Sequence, residues 1–312
     1  MINTVTIFLA GLVLLYAGGE SLVRGAASLG LRLGMTPLVV GLTIVAFATS
    51  APELLVTTQA ALQGEGGLAV GNVVGSNICN IGLILGITTL VRPTRIDVKL
   101  VRLDVPVMLG ASVLLALLLI DSRVTRIEGT LLLLGLVSYM AYTVYQSRKA
   151  GRWEQQEFEE SVPQEHSTIL SVIQVVGGVL LLVYGGKLFV DGAVDIAASL
   201  GVPAAIIGLS VVSIGTSIPE LATSIVAAVR GHSDLAAGNL VGSNIFNVCS
   251  VLGLTALVSP LDAGQVTWID LGVMLAASAL TMRLMFTAAR IERWEGGILL
   301  LGYLTYLTWL FV

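Results

Sequence analysis

Gly41 to Leu55 reads GLTIVAFATSAPELL, and Gly208 to Ala222 reads GLSVVSIGTSIPELA. These two stretches decide the fold, because each sets a glutamate, Glu53 or Glu220, beside a proline inside an otherwise apolar run. The match extends without a gap over Gly34 to Pro93 and Gly201 to Pro260, taking in GNVVGSNICN (Gly71 to Asn80) and GNLVGSNIFN (Gly238 to Asn247). The chain is thus written twice. An ionisable residue at membrane depth is costly unless something is bound there, and repeats of this kind meet at a midplane ion or substrate site.

Composition puts these runs in a bilayer. The chain is 55% hydrophobic and 12% charged, with a mean hydropathy of +0.93, far from the balance of a soluble domain. Ten apolar runs are long enough to span: 5–29, 36–62, 67–91, 103–121, 127–146, 168–198, 203–230, 235–258, 266–288 and 292–311. Their length and uniform apolarity predict helices rather than barrel strands, hence an all-α polytopic membrane protein. The first run has the apolar core of a secretory signal, yet no basic residue precedes it, and Gly18-Gly19 and Gly25-Ala26 recur as Gly185-Gly186 and Gly192-Ala193. It therefore reads as the first span of the repeat. Cys79 and Cys249 lie in apolar runs without CxxC spacing and read as small buried thiols.

Five spans per repeat is an odd number, so the second half enters the membrane upside down and the repeat is inverted. Residues 1–146 form the first five-helix repeat, 147–167 a polar, acidic linker, and 168–312 the second repeat. The linker's glutamates lack the glycine turn and alternating ligands of a calcium loop. If spans alternate, the connections after odd-numbered spans hold every basic residue except Arg123, Arg126 and Lys187. The positive-inside rule then places the linker in the cytoplasm and both termini outside, in the cell (inner) membrane. Lys187 occupies the place of Glu20 in the other half and reads as an interhelical ion pair or a snorkelling side chain. Gly71 with Gly75 and Gly238 with Gly242 read as close helix contacts.

The chemistry lies around the two glutamates. Ala46, Thr49 or Ser50, and Glu53 share a helical face, and Pro52 frees the carbonyl of Ala48, so the helix opens near 46–50. Ser213, Thr216, Ser217 and Glu220, with Pro219 beside them, repeat the arrangement. Asn72, Ser76 and Asn80 make a polar stripe on the next span, repeated by Asn239, Ser243 and Asn247. Carboxylate, hydroxyl and carbonyl oxygens in this density suit a hard cation such as sodium or calcium, which takes oxygen ligands. There is no thiolate pair for a soft metal, and His166 and His232 lie in predicted connections.

These motifs, FATSAPE with GTSIPE and GNVVGSN with GNLVGSN, resemble the paired alpha-repeats of the sodium/calcium exchangers in the calcium/cation antiporter superfamily. The resemblance covers the whole chain. It implies sodium-driven calcium exchange by alternating access, with the first and sixth spans sliding across the rest. It maps the ion ligands onto Ala46, Thr49, Ser50, Glu53, Ser76 and Asn80, and onto Ser213, Thr216, Ser217, Glu220, Ser243 and Asn247. Glu53 and Glu220 would jointly hold calcium. The partners it implies are sodium, calcium and the lipid bilayer, with no cofactor and no nucleic acid. Two departures stand out: many relatives carry Asp where this chain has Asn247, and relatives from higher organisms carry a large regulatory loop where this chain has only 147–167. The nearest alternative is a proton/calcium or other divalent-cation exchanger on the same scaffold, since a glutamate that binds calcium also takes a proton. An intramembrane hydrolase is disfavoured because neither HExxH nor GxSxG occurs. A passive channel is disfavoured too.

Overall fold

In hydrocarbon a long apolar segment satisfies its backbone donors and acceptors by coiling into a helix. The structure, a computed structural model, describes residues 2–95, 97–149, 167–199, 213–263, 266–288 and 290–310. In chain order the helices are α1 Ile2–Arg32, α2 Pro37–Thr49, α3 Ala51–Leu62, α4 Gly66–Val91, α5 Leu100–Asp121, α6 Arg126–Lys149, α7 Thr168–Ser199, α8 Ile218–Arg230, α9 Ser233–Val258, α10 Trp268–Ala288 and α11 Arg293–Leu310. Among the described residues seven are long and apolar enough to cross a membrane, and α2 with α3, bent by 43° at their junction, make an eighth if the pair is one broken span. The fold is a helical, polytopic membrane fold. Of the ten expected spans, 203–230 is described only from Ser213 onward, as Ser213–Gly215 and α8. The expected span 292–311 is α11, an 18-residue helix opening on Arg293 with Glu295 in its first turn.

The end of α6 overlaps the start of the expected linker, 147–167. Helix α6 runs to Lys149, because Ser147 Oγ accepts from Thr36 N at 2.9 Å and Arg148 Nε donates to Leu33 O at 3.2 Å, tying the last turn to the α1–α2 connection. Residues 150–166 lie outside the described residues.

Burial ranks the helices. The apolar windows of α4 and α9 are each 78% buried, against 22–39% for the other long helices, so these two form the centre of the bundle. Leu131, Leu134 and Val137 of α6 are exposed, as lipid-facing side chains are. Helix α1 packs along α7 in antiparallel fashion: a Cβ on Gly11 would meet Phe189, one on Gly18 would meet Leu182 N at 2.8 Å, and one on Gly25 would meet Ser171 O at 2.7 Å. Ser28 and Ser171 hydroxyls meet within the same interface at 2.8 Å. The expected glycine contact of α9 is present, with a Cβ on Gly242 meeting Ala46 Cβ and Leu42 O, both at 2.8 Å. Gly71 and Gly75 meet nothing among the described residues.

Two minimal antiparallel ribbons tie the connections together. Thr94–Arg95 pairs with Arg290–Ile291, and Arg123–Val124 pairs with Leu261–Asp262. Helix α5 runs from one ribbon to the other over 22 residues, about 33 Å of helix, so the ribbons sit at opposite ends of the bundle. The shift that carries Glu53 to Glu220 carries Thr94 to Leu261 and Arg123 to Arg290, so each ribbon is the image of the other with the halves exchanged. Gly64 and Gly231, related by the same shift, both turn the chain with positive φ (82° and 95°), a conformation that glycine adopts without a Cβ clash.

Candidate cation site

The helix opens where proline removes a donor. Helix α2 ends at Thr49, Ser50 leaves the helical region (φ −80°, ψ 5°), and α3 restarts at Ala51 with Pro52 in its first turn. The second half repeats the break at Ser217 (φ −90°, ψ 5°), with Pro219 in the first turn of α8. Pro is tolerated there because the first N–H groups of a helix have no intrahelical partner. Each restart sets its glutamate within the first turn, where the helix dipole favours a carboxylate.

The two breaks face each other. Ser50 Oγ donates to Glu220 Oε1 at 3.5 Å, and Ser217 Oγ donates to Glu53 Oε1 at 3.3 Å. These bonds are the same bond with the halves exchanged. Both carboxylates are sealed from solvent, at 1% exposure for Glu53 and 0% for Glu220. Ala46, at 0% exposure, packs against Gly242. Thr49 Oγ1 lies 3.4 Å from Ala46 O, 3.3 Å from Asn239 Oδ1 and 3.5 Å from Ser243 Oγ, which joins the first break to the polar face of α9. The side chain of Ser213 lies outside the described residues.

What the protein leaves unsatisfied is more telling. Glu53 Oε2, Glu220 Oε2, Ser76 Oγ, Asn80 Oδ1, Thr216 Oγ1 and Asn247 Oδ1 are all buried without a hydrogen-bond partner among the described residues. Native proteins pair nearly all buried polar atoms, so six unpaired oxygens from the two repeats, two of them on carboxylates, need a ligand to complete them. All six are oxygens, which is the donor set of a hard cation.

Comparison with known proteins bears on which ion. The profile described as "Sodium/calcium exchanger protein" matches residues 3–146 and 170–312. The chain belongs to the sodium/calcium exchanger family. It is 32% identical to the sodium/calcium exchanger MaX1 of Methanosarcina acetivorans, covering 98% of this chain and 97% of that one. It is 33% identical to the inner membrane protein YrbG of Escherichia coli, covering 99% and 98%. Among solved structures, the sodium-calcium exchanger NCX_Mj soaked without sodium and calcium superposes with a TM-score of 0.84 at 31% identity, covering 99% of each chain. The family is one of transporters, not enzymes, and the ions it exchanges are cargo, not cofactors.

The chain's own structure brings in residues that the motifs pass over. Asn77 and Asn244 are buried one position from the predicted stripes, and each accepts a bond from the opposite helix: Asn247 Nδ2 donates to Asn77 Oδ1 at 3.1 Å and Asn80 Nδ2 to Asn244 Oδ1 at 3.3 Å. Both lie inside the repeated GSN tripeptide, which was the available signal. Asn72 and Asn239, members of the predicted stripes, each donate through Nδ2 at 3.0 Å to a hydroxyl of the preceding helix in their own half, Thr57 or Ser224, while Asn239 Oδ1 also accepts from Thr49 of the other half. Asn80 and Asn247 also open wider helical turns, Asn80–Leu85 and Asn247–Leu252, where the ladder loosens from i+4 to i+5, a device that recurs at functional sites. Outside the site, Glu20 does not pair with Lys187, which is exposed; it pairs with Arg24 and Arg230, both at 2.6 Å. Cys79 and Cys249 are free and buried, as expected.

Proposed function

We propose that the chain is a secondary antiporter that exchanges sodium for calcium by alternating access at a midplane site shared by two inverted five-helix repeats, 1–146 and 168–312. The ligands are Ala46, Thr49, Ser50, Glu53, Ser76 and Asn80 from the first repeat, and Ser213, Thr216, Ser217, Glu220, Ser243 and Asn247 from the second. The observation that carries this reading is the crossed pair of buried glutamates, each with one oxygen unpartnered beside four further unpartnered oxygens. Paired contacts that recur with the halves exchanged, from the ribbons to the glutamates, support the inverted repeat.

Charge counting gives the mechanism. Two ionised glutamates carry two negative charges, which one calcium or two sodium ions neutralise; loading both kinds together leaves excess positive charge in a low dielectric. The ions therefore compete. Exchange follows if the carrier crosses when neutralised and not when empty. The α1–α7 pair is the sliding element, since its glycine-lined interface holds the two helices together as one body. The linker faces the cytoplasm and both termini lie outside. Arg92 supports that orientation by donating to the carbonyls of Ala228 and Val229, at 3.0 and 3.1 Å, which sets the end of α8 among the basic connections.

The test is calcium uptake into proteoliposomes under separately imposed sodium and pH gradients. Uptake driven by internal sodium and blocked by external sodium is the expected result. Uptake that follows the pH gradient and ignores sodium would overturn the assignment in favour of proton/calcium exchange, and uptake that needs no counter-ion would favour a channel.

A further inference from the structure

Asn77 and Asn80 on α4 and Asn244 and Asn247 on α9 form a closed, buried set between the two central helices. An asparagine amide has a donor end and an acceptor end, and a cation accepts only the oxygen. The orientation of Asn80 and Asn247 therefore has to be imposed. Asn77 Oδ1 takes the amino group of Asn247 at 3.1 Å, Asn244 Oδ1 takes that of Asn80 at 3.3 Å, and the Oδ1 atoms of Asn80 and Asn247 are left buried without a protein partner. The orienting residues are themselves held: Asn77 Nδ2 donates to the main-chain carbonyl of Asn244 at 3.4 Å, and Asn244 Nδ2 faces Met108 Sδ at 3.4 Å.

We infer that Asn77 and Asn244 are positioning residues that hold the side-chain amides of Asn247 and Asn80 oxygen-first toward the transported cation, an inference that rests on the site proposed above. A flipped amide at 247 would turn its NH2 to the cation and set two carbonyl oxygens, its own and that of Asn77, against each other. The need for a positioning residue is created by asparagine. A carboxylate at the same place offers an oxygen whichever way it turns.

That difference supplies the test, a double-mutant cycle read as calcium Kd on purified protein and as calcium KM in sodium-loaded proteoliposomes. Asn77→Ala in the native background should raise Kd and KM about tenfold, the scale of one weakened ligand to a charged group, with kcat changed less than about twofold. In an Asn247→Asp background the same Asn77→Ala step should change Kd less than about twofold. An equal penalty in both backgrounds would mean that Asn77 only packs, and no penalty in the native background would mean that the amide needs no holding; either overturns the inference. If Asn77→Ala does not yield monodisperse protein, Asn244→Ala in native and Asn80→Asp backgrounds runs the same cycle on the other arm. Wild-type protein without sodium-driven uptake, or uptake that survives Glu220→Gln, would bring down the site itself. A wild type that exchanges and depends on Glu220 isolates the positioning claim.

Discussion

Replacing Glu220 by glutamine removes one charge and almost nothing else. The amide oxygen still accepts from Ser50 Oγ, which lies 3.5 Å from Oε1, and the side chain stays in a site with no solvent exposure. At an effective dielectric of about 20 and a separation of about 4 Å, two unit charges attract by about 4 kcal/mol, so a divalent ion loses roughly 8 kcal/mol of gross attraction. Desolvation of the carboxylate already offsets part of that attraction, and the net cost of taking one partner from a buried ion pair is about 3–5 kcal/mol. On calcium Kd this is roughly a 150- to 5,000-fold loss. Sodium-dependent calcium uptake by Glu220→Gln should therefore vanish at calcium concentrations that half-saturate the wild type, with size-exclusion profile and helical circular dichroism unchanged. Glu53→Gln should match it within about tenfold, because Ser217 holds Glu53 as Ser50 holds Glu220. A folded Glu220→Gln protein with a KM within tenfold of the wild type would refute the charge count and the site together.

Three further outcomes are expected. Calcium uptake should proceed equally well with choline replacing potassium on both sides under controlled voltage: Asn247 adds an oxygen but no charge, and calcium plus potassium would set three positive charges against two glutamates. A saturable requirement for potassium would contradict this. A cysteine at Gln155 should react with an impermeant thiol reagent only from the cytoplasmic face, and one added after Val312 only from outside, over a low background because Cys79 and Cys249 are buried. The reverse labelling would invert the topology. Gly18→Val should destabilise the protein by about 1–3 kcal/mol through overpacking, since its Cβ would lie 2.8 Å from Leu182 N; Gly177→Val, where a Cβ meets nothing among the described residues, should leave thermal stability unchanged. Equal effects of the two substitutions would remove the case for a tight α1–α7 contact.

The sequence reading reached the breaks because proline acts locally: a missing N–H at Pro52 and Pro219 opens the helix wherever the rest of the chain goes, and the openings fall at Ser50 and Ser217. It reached the glutamates because a charge in an apolar run stands out. The contacts of Asn77 and Asn244 are not legible in the sequence, since each stands one position from Ser76 or Ser243 of the stripe, about 100° around the helix, and only the packed neighbour decides that Asn247 and Asn80 donate to them. Asn72 and Asn239 share the polar stripe but not the mapped ligand set, and Thr57 and Ser224 accept from their amino groups. The two-residue ribbons are too short to leave an alternating pattern, and the wider turns at Asn80 and Asn247 have no residue preference that marks them. The end of α6 depended on a tertiary contact, Ser147 with Thr36, that no composition shift signals.

One contact breaks the exchange symmetry, and it bears on how such a carrier works. Thr49 Oγ1 reaches Asn239 and Ser243 on α9, whereas among the described residues the corresponding hydroxyl of Thr216 makes no matching bond to its counterparts Asn72 and Ser76 on α4. Two halves of matching sequence thus hold their central helices differently at the same moment. A chain built from two equivalent halves has, for every such arrangement, a second one with the roles exchanged and nearly the same local contacts. Two packings of similar energy are what a carrier needs in order to present one site to two sides. On the proposed mechanism, closing Thr216 onto Ser76 and Asn72 while releasing Thr49 from Ser243 and Asn239 turns the present arrangement into its partner. The crossed contacts of the glutamates with Ser50 and Ser217 map onto each other under the same exchange. On that mechanism, neutralising those glutamates with bound cations would lower the cost of passing between the two states and couple the movement of one ion to the return of the other.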